Sequence, residues 1–306
     1  MVKIKSLFIG NFINSLKAVI KSKVRSFYSD KFNNKFFTLV SNMDFRYHKN
    51  NTQISIGKDN FDKFTEKNKN RDQPFSWFVS KSLRTRSINY YVNKGLIFSG
   101  IRVAENYGIE NIEFNPLDVV IDCGANLGAL WIYLNSLNIE INYVGIEPGK
   151  YEFEGLDKSI NFQNNTKINS QLINKALASV NGYSSFFYRE DADSSIIKYE
   201  GFSTEYKIQT TTLESLINDI GYKNKNIKLL KLEAEGAEPE VVIGALKILD
   251  QIEYIAADLG PERGIKQEST LKEVSNILFR NNFEIIDFKY PRICILFKNK
   301  SLNKLS

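Results

Sequence analysis

Two short apolar stretches near the end of the chain, FEIIDFKY (283–290) and RICILFKN (292–299), decide how the fold closes. Each is rich in aromatic and β-branched residues, and only Pro291 separates them. Such stretches are typical of β-strands. Strands joined so closely must pair antiparallel, because a parallel connection needs a dozen or more residues. The sequence therefore predicts a C-terminal antiparallel hairpin.

Upstream of this hairpin, short apolar runs alternate with amphipathic segments. DVVIDC (118–123), NYVGIEP (142–148) and IEYIAADLG (252–260) resemble buried strands, whereas GALWIYLNSL (128–137) and STLKEVSNILFRNN (269–282) resemble helices. This alternation predicts a doubly wound, mostly parallel, Rossmann-like α/β sheet. A dehydrogenase-type sheet has only parallel strands. A parallel sheet closed by an antiparallel hairpin is instead the arrangement of class I S-adenosylmethionine-dependent methyltransferases.

A glycine-containing turn, IDCGANLG (121–128), connects the first of these strands to the following helix. Gly124 and Gly128 bracket the turn, so the backbone can approach a ligand while N–H groups at the helix start point outward. The glycine spacing alone fits a simple turn, a dinucleotide loop or a methyl-donor loop. Asn126 replaces the middle glycine of G-x-G-x-x-G and argues against a bound pyrophosphate.

Acidic residues at the ends of the first two strands suit a cationic cofactor that contains a ribose. Glu147 ends the second strand, and its two oxygens can accept hydrogen bonds from both ribose hydroxyls. Asp122 is expected near the amino group of S-adenosylmethionine, and Pro148 is expected in the apolar slot for adenine. The predicted cofactor-binding residues are Asp122, Gly124, Asn126, Gly128, Glu147 and Pro148.

Five stretches of the chain resemble the FkbM family of methyltransferases. They are VVIDCGANLG (119–128), VGIEPGKYEFEGLDKSINFQN (144–164), INKALAS (173–179), LLKLEAEGAEPEVVIGA (229–245) and YIAADLGPERG (254–264). The resemblance covers residues 90–297 and implies a methyltransferase domain over residues 90–300. It also implies methyl transfer from S-adenosylmethionine to a hydroxyl of a sugar, glycan or secondary metabolite, with polysaccharide biosynthesis as one setting.

Carboxylates follow the fourth strand of the predicted sheet, on the side where open α/β sheets bind ligands. The family's Lys-Ile-Asp-Val-Glu-Gly is here KLEAEG (231–236), so Glu233 replaces an aspartate and is longer by one methylene. A carboxylate near the acceptor can take the proton of a hydroxyl during its attack. Glu233, Glu235 and Asp258 are the predicted catalytic residues.

Two further charged residues near these strand ends are candidates for substrate contact. Glu238 precedes Pro239 at a helix start, where a carboxylate is favourable, so a capping role is favoured over a substrate role. Arg263 can bind a carboxylate or phosphate of the acceptor, and a surface ion pair explains it equally well. No metal site is predicted.

The composition restricts the remaining chemistry. The chain has a net charge of +6, and its only cysteines, Cys123 and Cys294, lie far apart in apolar runs. A reducing, cytoplasmic location is therefore expected. The single histidine, His48, leaves acid–base work to Asp, Glu, Lys or Tyr. No apolar run is long enough to span a bilayer.

Residues 1–89 are expected to form a basic extension of helix and loop. Residues 50–72 are polar without sustained periodicity and predict a loop. Nearer the N-terminus, apolar residues recur at helical spacing beside basic residues. They are Ile9, Phe12, Ile13, Leu16 and Ile20. This amphipathic helix either contacts an anionic membrane surface or packs on its own domain or a second subunit.

Two local features complete the prediction for the main domain. A polar insertion, REDADSS (189–195), is expected between extra edge strands and is expected to help shape the acceptor pocket. The segment TTLESLINDIG (211–221) predicts a helix, with Thr211 and Glu214 as a capping box.

Alternative functions remain open at this point. A nucleic-acid acceptor is disfavoured because several carboxylates near the acceptor site would repel phosphates. A non-catalytic methyltransferase-like binding module is compatible with the fold, since a fold does not determine a function. A methyltransferase that acts on another atom than oxygen is a third reading. The acceptor and the oligomeric state are not indicated by the sequence.

Overall fold

The structure of the 306-residue chain is a computed structural model. It describes residues 42, 51–57, 59–67, 74–83, 87, 91, 95–164, 166–189 and 194–302. The chain divides into two compact units, Met1–Leu96 and Ile97–Ser306. This division falls a few residues beyond the predicted boundary between residues 89 and 90.

In the first unit, three strands form an antiparallel sheet in the order β1–β2–β3. They are β1 (Thr52–Ile56), β2 (Phe61–Glu66) and β3 (Phe75–Ser80). Ile54 pairs with Phe64, which pairs in turn with Trp77, and all three side chains are buried.

The prediction of a loop over residues 50–72 is wrong, because β1 and β2 lie within it. In β1, buried Thr52 and Ile54 alternate with exposed Gln53 and Ser55. The strand thus has the period of two that a half-buried strand requires. Only Ile54 among these four is strongly apolar, so the alternation was hidden by the polar composition.

The helices and strands of the main domain follow in chain order. The strands are β4 (Asp118–Cys123), β5 (Ile141–Ile146), β6 (Ile168–Ile173), β7 (Ala176–Leu177), β8 (Gly182–Tyr188), β9 (Thr204–Thr211), β10 (Ile227–Leu232), β11 (Ile252–Asp258), β12 (Pro261–Arg263), β13 (Glu268–Ser269), β14 (Phe283–Lys289) and β15 (Cys294–Asn299). The α-helices are α1 (Leu96–Tyr107), α2 (Ala129–Ser136), α3 (Lys150–Asn161), α4 (Leu213–Asp219), α5 (Glu238–Gly244) and α6 (Leu271–Arg280).

The central sheet has seven strands in the order β14–β15–β11–β10–β4–β5–β6. The pairs between β11, β10, β4, β5 and β6 are parallel. Strand β15 runs antiparallel to both β11 and β14. The predicted fold class is confirmed: a doubly wound, mostly parallel sheet ends in an antiparallel hairpin.

The two faces of the central strands differ in polarity. Ile121 in β4 and Leu230 and Leu232 in β10 point into a large apolar core that also includes residues of α4, α5 and α6. Side chains of a strand alternate between faces. Asp122 and Lys231 are therefore directed to the opposite face, where both are buried.

The strands on either side of the polar insertion, β8 and β9, lie in a separate sheet rather than at an edge of the central one. Strands β7, β9 and β8 form this three-stranded sheet, in that order. Ser195, from the insertion, bridges back to Phe187 in β8. The expected extra strands on both sides of the insertion are present, but they are not edge strands of the central sheet, because β9 pairs with β7 and β8 instead.

The cap of α4 differs by one residue from the prediction. Thr212, not Thr211, is the N-cap, and its hydroxyl accepts a hydrogen bond from the Ser215 N–H at 3.1 Å. Glu214 pairs with Lys247 at 3.1 Å. Two adjacent threonines offer the same side-chain chemistry, so the sequence alone does not choose between them.

Two predictions for the N-terminal part fall outside the described residues. They concern the basic amphipathic helix around residues 9–20 and the surface position of His48. In the part of the chain that the structure describes, no helix combines the length and the apolar character needed to cross a membrane.

Candidate active site

The central sheet brings most of the predicted site residues to one edge. The parallel strands β4, β5, β10 and β11 all end there, and we call it the carboxyl edge. Asp122 lies near the end of β4, Glu147 follows β5, Glu233 follows β10 and Asp258 ends β11. In chain order the sheet grows outward from β4 in both directions, so this edge lies at a topological switch point, where open α/β sheets bind ligands.

The turn after β4 passes very close to the backbone of Glu233, the residue that follows β10. Gly124 has a φ of 73°, and a Cβ built on it would lie 2.0 Å from the Glu233 carbonyl oxygen. The N–H groups of Gly124 and Ala125 both donate to the Ile146 carbonyl, at 3.0 Å each. Only glycine tolerates both this φ and this approach. The turn is therefore fixed between β5 and β10.

Glu147 joins this turn to the loop after β5. Its Oε2 accepts a hydrogen bond from the Asn126 N–H, and its Oε1 accepts one from the Gly149 N–H, both at 2.7 Å. The Asn174 side-chain amide donates to the Glu147 carbonyl at 2.8 Å and also to the Pro148 carbonyl at 3.3 Å. The carboxylate thus lies between the two loops that the sequence assigns to the cofactor.

A buried ion pair lies beneath the turn. Asp122 and Lys231 occupy the same register in the adjacent strands β4 and β10. Lys231 Nζ lies 3.0 Å from Asp122 Oδ1 and donates to the Gly124 carbonyl at 3.0 Å. The Tyr143 hydroxyl donates to Asp122 Oδ2 at 2.8 Å. Asp122 is only 1% exposed, so both of its oxygens face protein groups.

Gly145 leaves room for this arrangement. A Cβ at Gly145 would lie 2.8 Å from Cε1 of Tyr143 and 3.1 Å from its hydroxyl oxygen. Gly145 is the β5 partner of Asp122. The glycine therefore lets the phenol of Tyr143 reach the carboxylate.

Charge keeps Lys231 protonated in spite of its burial. Burial alone lowers the pKa of a lysine, because it disfavours the charged form. The carboxylates of Asp122 and Glu233 oppose this effect and raise the pKa of Lys231 above its ordinary value. Lys231 is consequently a fixed positive charge that links β4, the turn and β10.

Arg292, from the hairpin connection between β14 and β15, joins two of the predicted catalytic carboxylates. Its guanidinium donates to Asp258 Oδ2 from Nε at 2.8 Å and also from Nη2. Nη2 donates in addition to Glu233 Oε1 at 3.0 Å. The other oxygen of Asp258, Oδ1, accepts the Gly260 N–H at 3.1 Å.

Glu233 is held between two cations. Its Oε2 lies 3.0 Å from Lys231 Nζ, and its Oε1 contacts Arg292. Burial by itself raises the pKa of Glu233, but Lys231 and Arg292 outweigh it and lower the pKa to about 2. A carboxylate with so low a pKa is a weak proton acceptor at neutral pH.

This lowered pKa predicts a specific acid dependence of stability. The folded-state pKa of Glu233 lies below its unfolded value of 4.5. Its contribution to stability is therefore present above pH 4.5 and is lost as the pH falls towards 2. We expect Glu233→Gln to be less stable than the parent at pH 6 and to lose less stability between pH 4.5 and 2. Urea unfolding across this range measures both effects.

A control for this prediction is Glu154→Gln, since the contact of Glu154 with Lys150 is long, at 4.0 Å, and its side chain is 42% exposed. It should leave the acid slope unchanged. An unaltered slope in Glu233→Gln would show that Glu233 does not carry this dependence.

Glu238 organises the loop after β10. Its Oε1 accepts hydrogen bonds from the N–H groups of Ala234 and Gly236 at 2.9 and 3.1 Å, and its Oε2 accepts one from the Thr270 hydroxyl at 3.0 Å. The side chain is 1% exposed. The Glu238 carboxylate thus stabilises the loop before α5 rather than capping the helix with a side-chain hydrogen bond, and its burial disfavours contact with a substrate.

Arg263 is engaged with the chain itself. It forms a two-pronged ion pair with Glu240, with N–O distances of 2.8 and 2.6 Å, and also donates to the Gly236 carbonyl. The ion-pair reading of Arg263 thus describes the structure. The guanidinium fastens β12 to the loop between β10 and α5.

Glu235 lies in the middle of this loop, half-buried, with a φ of 50°. This left-handed conformation is uncommon for a residue with a side chain. Its neighbour Gly236 has a φ of 92°, and a Cβ there would lie 2.6 Å from the Arg263 Cα. Two consecutive left-handed residues turn the loop sharply at the carboxyl edge.

Four residues of this edge were not selected from the sequence: Tyr143, Lys231, Glu262 and Arg292. Lys231 could have been selected from the sequence, since a charged residue inside the apolar run IKLLKL (227–232) needs a buried partner. Arg292 lies in a two-strand connection 34 residues from Asp258, and no local pattern connects them. Within the described residues, no three His, Cys, Asp or Glu side chains are placed to hold a metal ion.

The strand order of the central sheet, with its switch point at β4, is that of class I methyltransferases. The family model for the methyltransferase FkbM domain matches residues 122–285, which is just over half of the chain. The chain belongs to this family. The match begins at Asp122 and includes every predicted site residue.

Solved structures that match the chain share little sequence with it. Magnesium protoporphyrin IX methyltransferase from Synechocystis PCC 6803, solved with bound SAH, is 12% identical, with 87% of this chain and 98% of that one covered and a TM-score of 0.41. A putative S-adenosylmethionine-dependent methyltransferase from Listeria monocytogenes is 9% identical, with coverages of 65% and 99% and a TM-score of 0.40. A search among curated protein sequences gives no match.

Proposed function

We propose that the chain transfers the methyl group of S-adenosylmethionine to a hydroxyl oxygen of a sugar, a glycan or a secondary metabolite. The observation that carries this proposal is the pair of hydrogen bonds accepted by the Glu147 carboxylate. They connect the Gly124–Gly128 turn to the loop after β5. Membership of a methyltransferase family supports the reaction class. The acceptor class comes from the family resemblance.

The residues at the carboxyl edge fit the proposed cofactor. The left-handed turn at Gly124 lies against the Glu233 carbonyl oxygen and leaves no room for a side chain, and we expect the backbone of this turn to approach the cofactor closely. We expect the Glu147 carboxylate, which lies between the two cofactor loops, to accept hydrogen bonds from the ribose hydroxyls. When bound, S-adenosylmethionine supplies a methyl group on a positively charged sulfur. Carboxylates outnumber the cations Lys231 and Arg292 at this edge, which favours a cationic ligand over a pyrophosphate.

Asp122 takes a different role from the direct contact expected from its position. Its oxygens are held by Tyr143 and Lys231, and Lys231 in turn donates to the Gly124 carbonyl. We therefore propose that Asp122 positions the cofactor turn through Lys231. The direct contact with the cofactor passes to Glu147 and to the backbone of the turn.

Aromatic side chains of the three-stranded sheet β7–β9–β8 and of the segment between β8 and β9 are the best candidates for the acceptor site. Tyr188 packs edge-on against Tyr151 at the start of α3, with ring centroids 5.9 Å apart. The Ser195 hydroxyl lies 3.4 Å from the Ala234 carbonyl, in the loop after β10. Strand β8 therefore contacts the start of α3, and Ser195 of the insertion contacts the loop after β10. Half-buried rings such as Phe202 offer flat apolar faces that suit the carbon skeleton of a sugar or polyketide.

A transfer assay with methyl-labelled S-adenosylmethionine tests the proposed function. We expect label in the ether position of at least one acceptor in a panel of nucleotide sugars, glycans and hydroxylated metabolites. Cofactor binding without labelled product over the whole panel would favour a non-catalytic binding module. Label on nitrogen, carbon or sulfur would retain the methyltransferase and contradict the oxygen acceptor.

Replacing Glu147 is expected to weaken cofactor binding. Glu147→Ala removes the ribose acceptor and the two hydrogen bonds that hold the turn. A hydrogen bond to a charged group contributes about 1.5–3 kcal/mol, which corresponds to roughly 10- to 100-fold in the dissociation constant. Calorimetric titration with S-adenosylhomocysteine measures the change. Glu154→Ala is the matched control, because the Glu154 side chain in α3 is 42% exposed, and equal affinities in the two variants would contradict the role of Glu147.

A further inference from the structure

Glu262 is an acidic residue at the carboxyl edge. It does not lie at the end of a strand of the central sheet, and the sequence gives no reason to select it as a site residue. It lies in the short strand β12, and its N–H donates to the Gly260 carbonyl at 3.0 Å. Glu262 Oε1 and Asp258 Oδ1 lie 3.7 and 3.2 Å from the point where a Cβ on Gly260 would be. The two carboxyl groups therefore flank the same glycine.

The Glu262 carboxyl group is not committed to a structural contact. Among the residues that the structure describes, no hydrogen bond or ion pair to its carboxyl oxygens is found. Its side chain is half-buried, so the group is sheltered and still accessible from solvent. The neighbouring acids differ in this respect, because Asp258 is bound by Arg292 and Gly260, and Glu233 by Lys231 and Arg292.

Charged groups on three segments of the chain interact electrostatically with Glu262. Asp258 comes from β11, Glu233 and Glu238 come from the segment between β10 and α5, and Arg292 comes from the β14–β15 connection. Burial raises the pKa of Glu262, the three carboxylates raise it further, and Arg292 lowers it in part. The resulting pKa is about 8. Such a carboxyl group exchanges a proton readily near neutral pH.

We propose that Glu262 is the general base that accepts the proton of the acceptor hydroxyl. The proposal rests on the proposed function and identifies a residue for its proton transfer. A C–O bond forms between the acceptor oxygen and the methyl group while the C–S bond breaks. The electron pair of the C–S bond stays on sulfur, and the hydroxyl proton moves to a Glu262 carboxyl oxygen. Among the sequence-based candidates, Glu233 is a poorer base because its pKa is low.

The pH profile of methyl transfer tests this assignment. For the parent enzyme we expect kcat/KM to rise with pH, because the base must be ionised. The midpoint of this rise, the ascending limb of the pH profile, is expected near pH 8. Glu262→Gln has nearly the same shape but cannot accept the proton. We expect it to lose this limb and to lower kcat/KM on the order of 100-fold above pH 8.

A second variant is expected to shift the ascending limb of the pH profile rather than to remove it. Arg292 lowers the pKa of Glu262, so Arg292→Met should shift the limb to higher pH. Glu268→Gln is the matched control, because Glu268 lies exposed in β13, the pairing partner of β12. It should leave both the limb and the rate unchanged. Unfolding temperatures of all variants verify that they are folded.

A direct titration supplies a readout that needs no turnover. Carbon-detected NMR of protein labelled at glutamate carboxyl carbons should show one resonance that titrates near pH 8 and is absent from Glu262→Gln. Absence of this resonance from the parent protein would overturn the proposal.

The kinetic outcomes separate the two proposals. If the parent enzyme transfers methyl groups and Glu262→Gln retains the limb, Glu262 is not the base, although the function stands. If Glu235→Gln alone removes the limb, the base is Glu235 and the assignment to Glu262 is wrong. A parent protein that binds S-adenosylmethionine but methylates no acceptor overturns the proposed function and this inference with it.

Discussion

Lys231→Met is expected to lower the free energy of unfolding by about 3–5 kcal/mol, because it leaves a buried carboxylate without its cation. Lys231 Nζ lies 3.0 Å from both Asp122 and Glu233, and its side chain is 4% exposed. The Asp122 carboxylate would retain only the Tyr143 hydroxyl as a charge-stabilising donor. Urea unfolding at neutral pH measures the loss.

Lys247→Met is the matched control for this prediction. Lys247 forms a surface ion pair with Glu214 at 3.1 Å, and its side chain is 78% exposed. Exposed pairs contribute at most about 1 kcal/mol. The double variant Asp122→Asn/Lys231→Met removes both buried charges and should recover part of the loss. A single variant no less stable than the control would show that the pair is not needed to maintain the fold.

Gly124→Ala is expected to cost about 4 kcal/mol or more and to abolish cofactor binding. The added Cβ would lie 2.0 Å from the Glu233 carbonyl oxygen, and φ is 73°. Relief of this collision requires the turn to separate from β10. That movement would break the hydrogen bond from Lys231 to the Gly124 carbonyl. Chemical unfolding and calorimetric titration with S-adenosylhomocysteine measure the two effects.

A second glycine separates the collision from backbone strain. Gly221 has a φ of 80°, but a Cβ there would meet nothing within 4 Å. Gly221→Ala should therefore cost only the left-handed strain, about 1–2 kcal/mol, and should leave binding intact. If Gly124→Ala bound the cofactor as well as Gly221→Ala does, the close approach of the Gly124 turn to the Glu233 carbonyl would have no functional importance.

The sheet could be predicted from sequence because its signals are local. Apolar runs such as DVVIDC (118–123) are uninterrupted, and the connection at Pro291 is too short for a parallel crossover. The placement of Glu147, Glu233 and Asp258 at one edge follows directly, since each ends or immediately follows a parallel strand. The strands β1 and β2 were missed because their alternation uses polar residues such as Thr52 and Gln53.

The contacts within the site could not be predicted, because they depend on register and on distant segments. Asp122 and Lys231 meet only because β4 and β10 are neighbours with these two residues in register. Arg292 reaches Glu233 from 59 residues away. From these contacts we infer supporting roles for Asp122 and Glu233, and we propose Glu262 as the base.

Calorimetric titration of the parent protein with S-adenosylmethionine and, separately, with NAD tests the central claim most directly. The claim is that the Gly124–Gly128 turn and Glu147 hold S-adenosylmethionine. It predicts one-to-one binding of S-adenosylmethionine, weakened in Glu147→Ala, and no binding of NAD. Binding of NAD without binding of S-adenosylmethionine would contradict it.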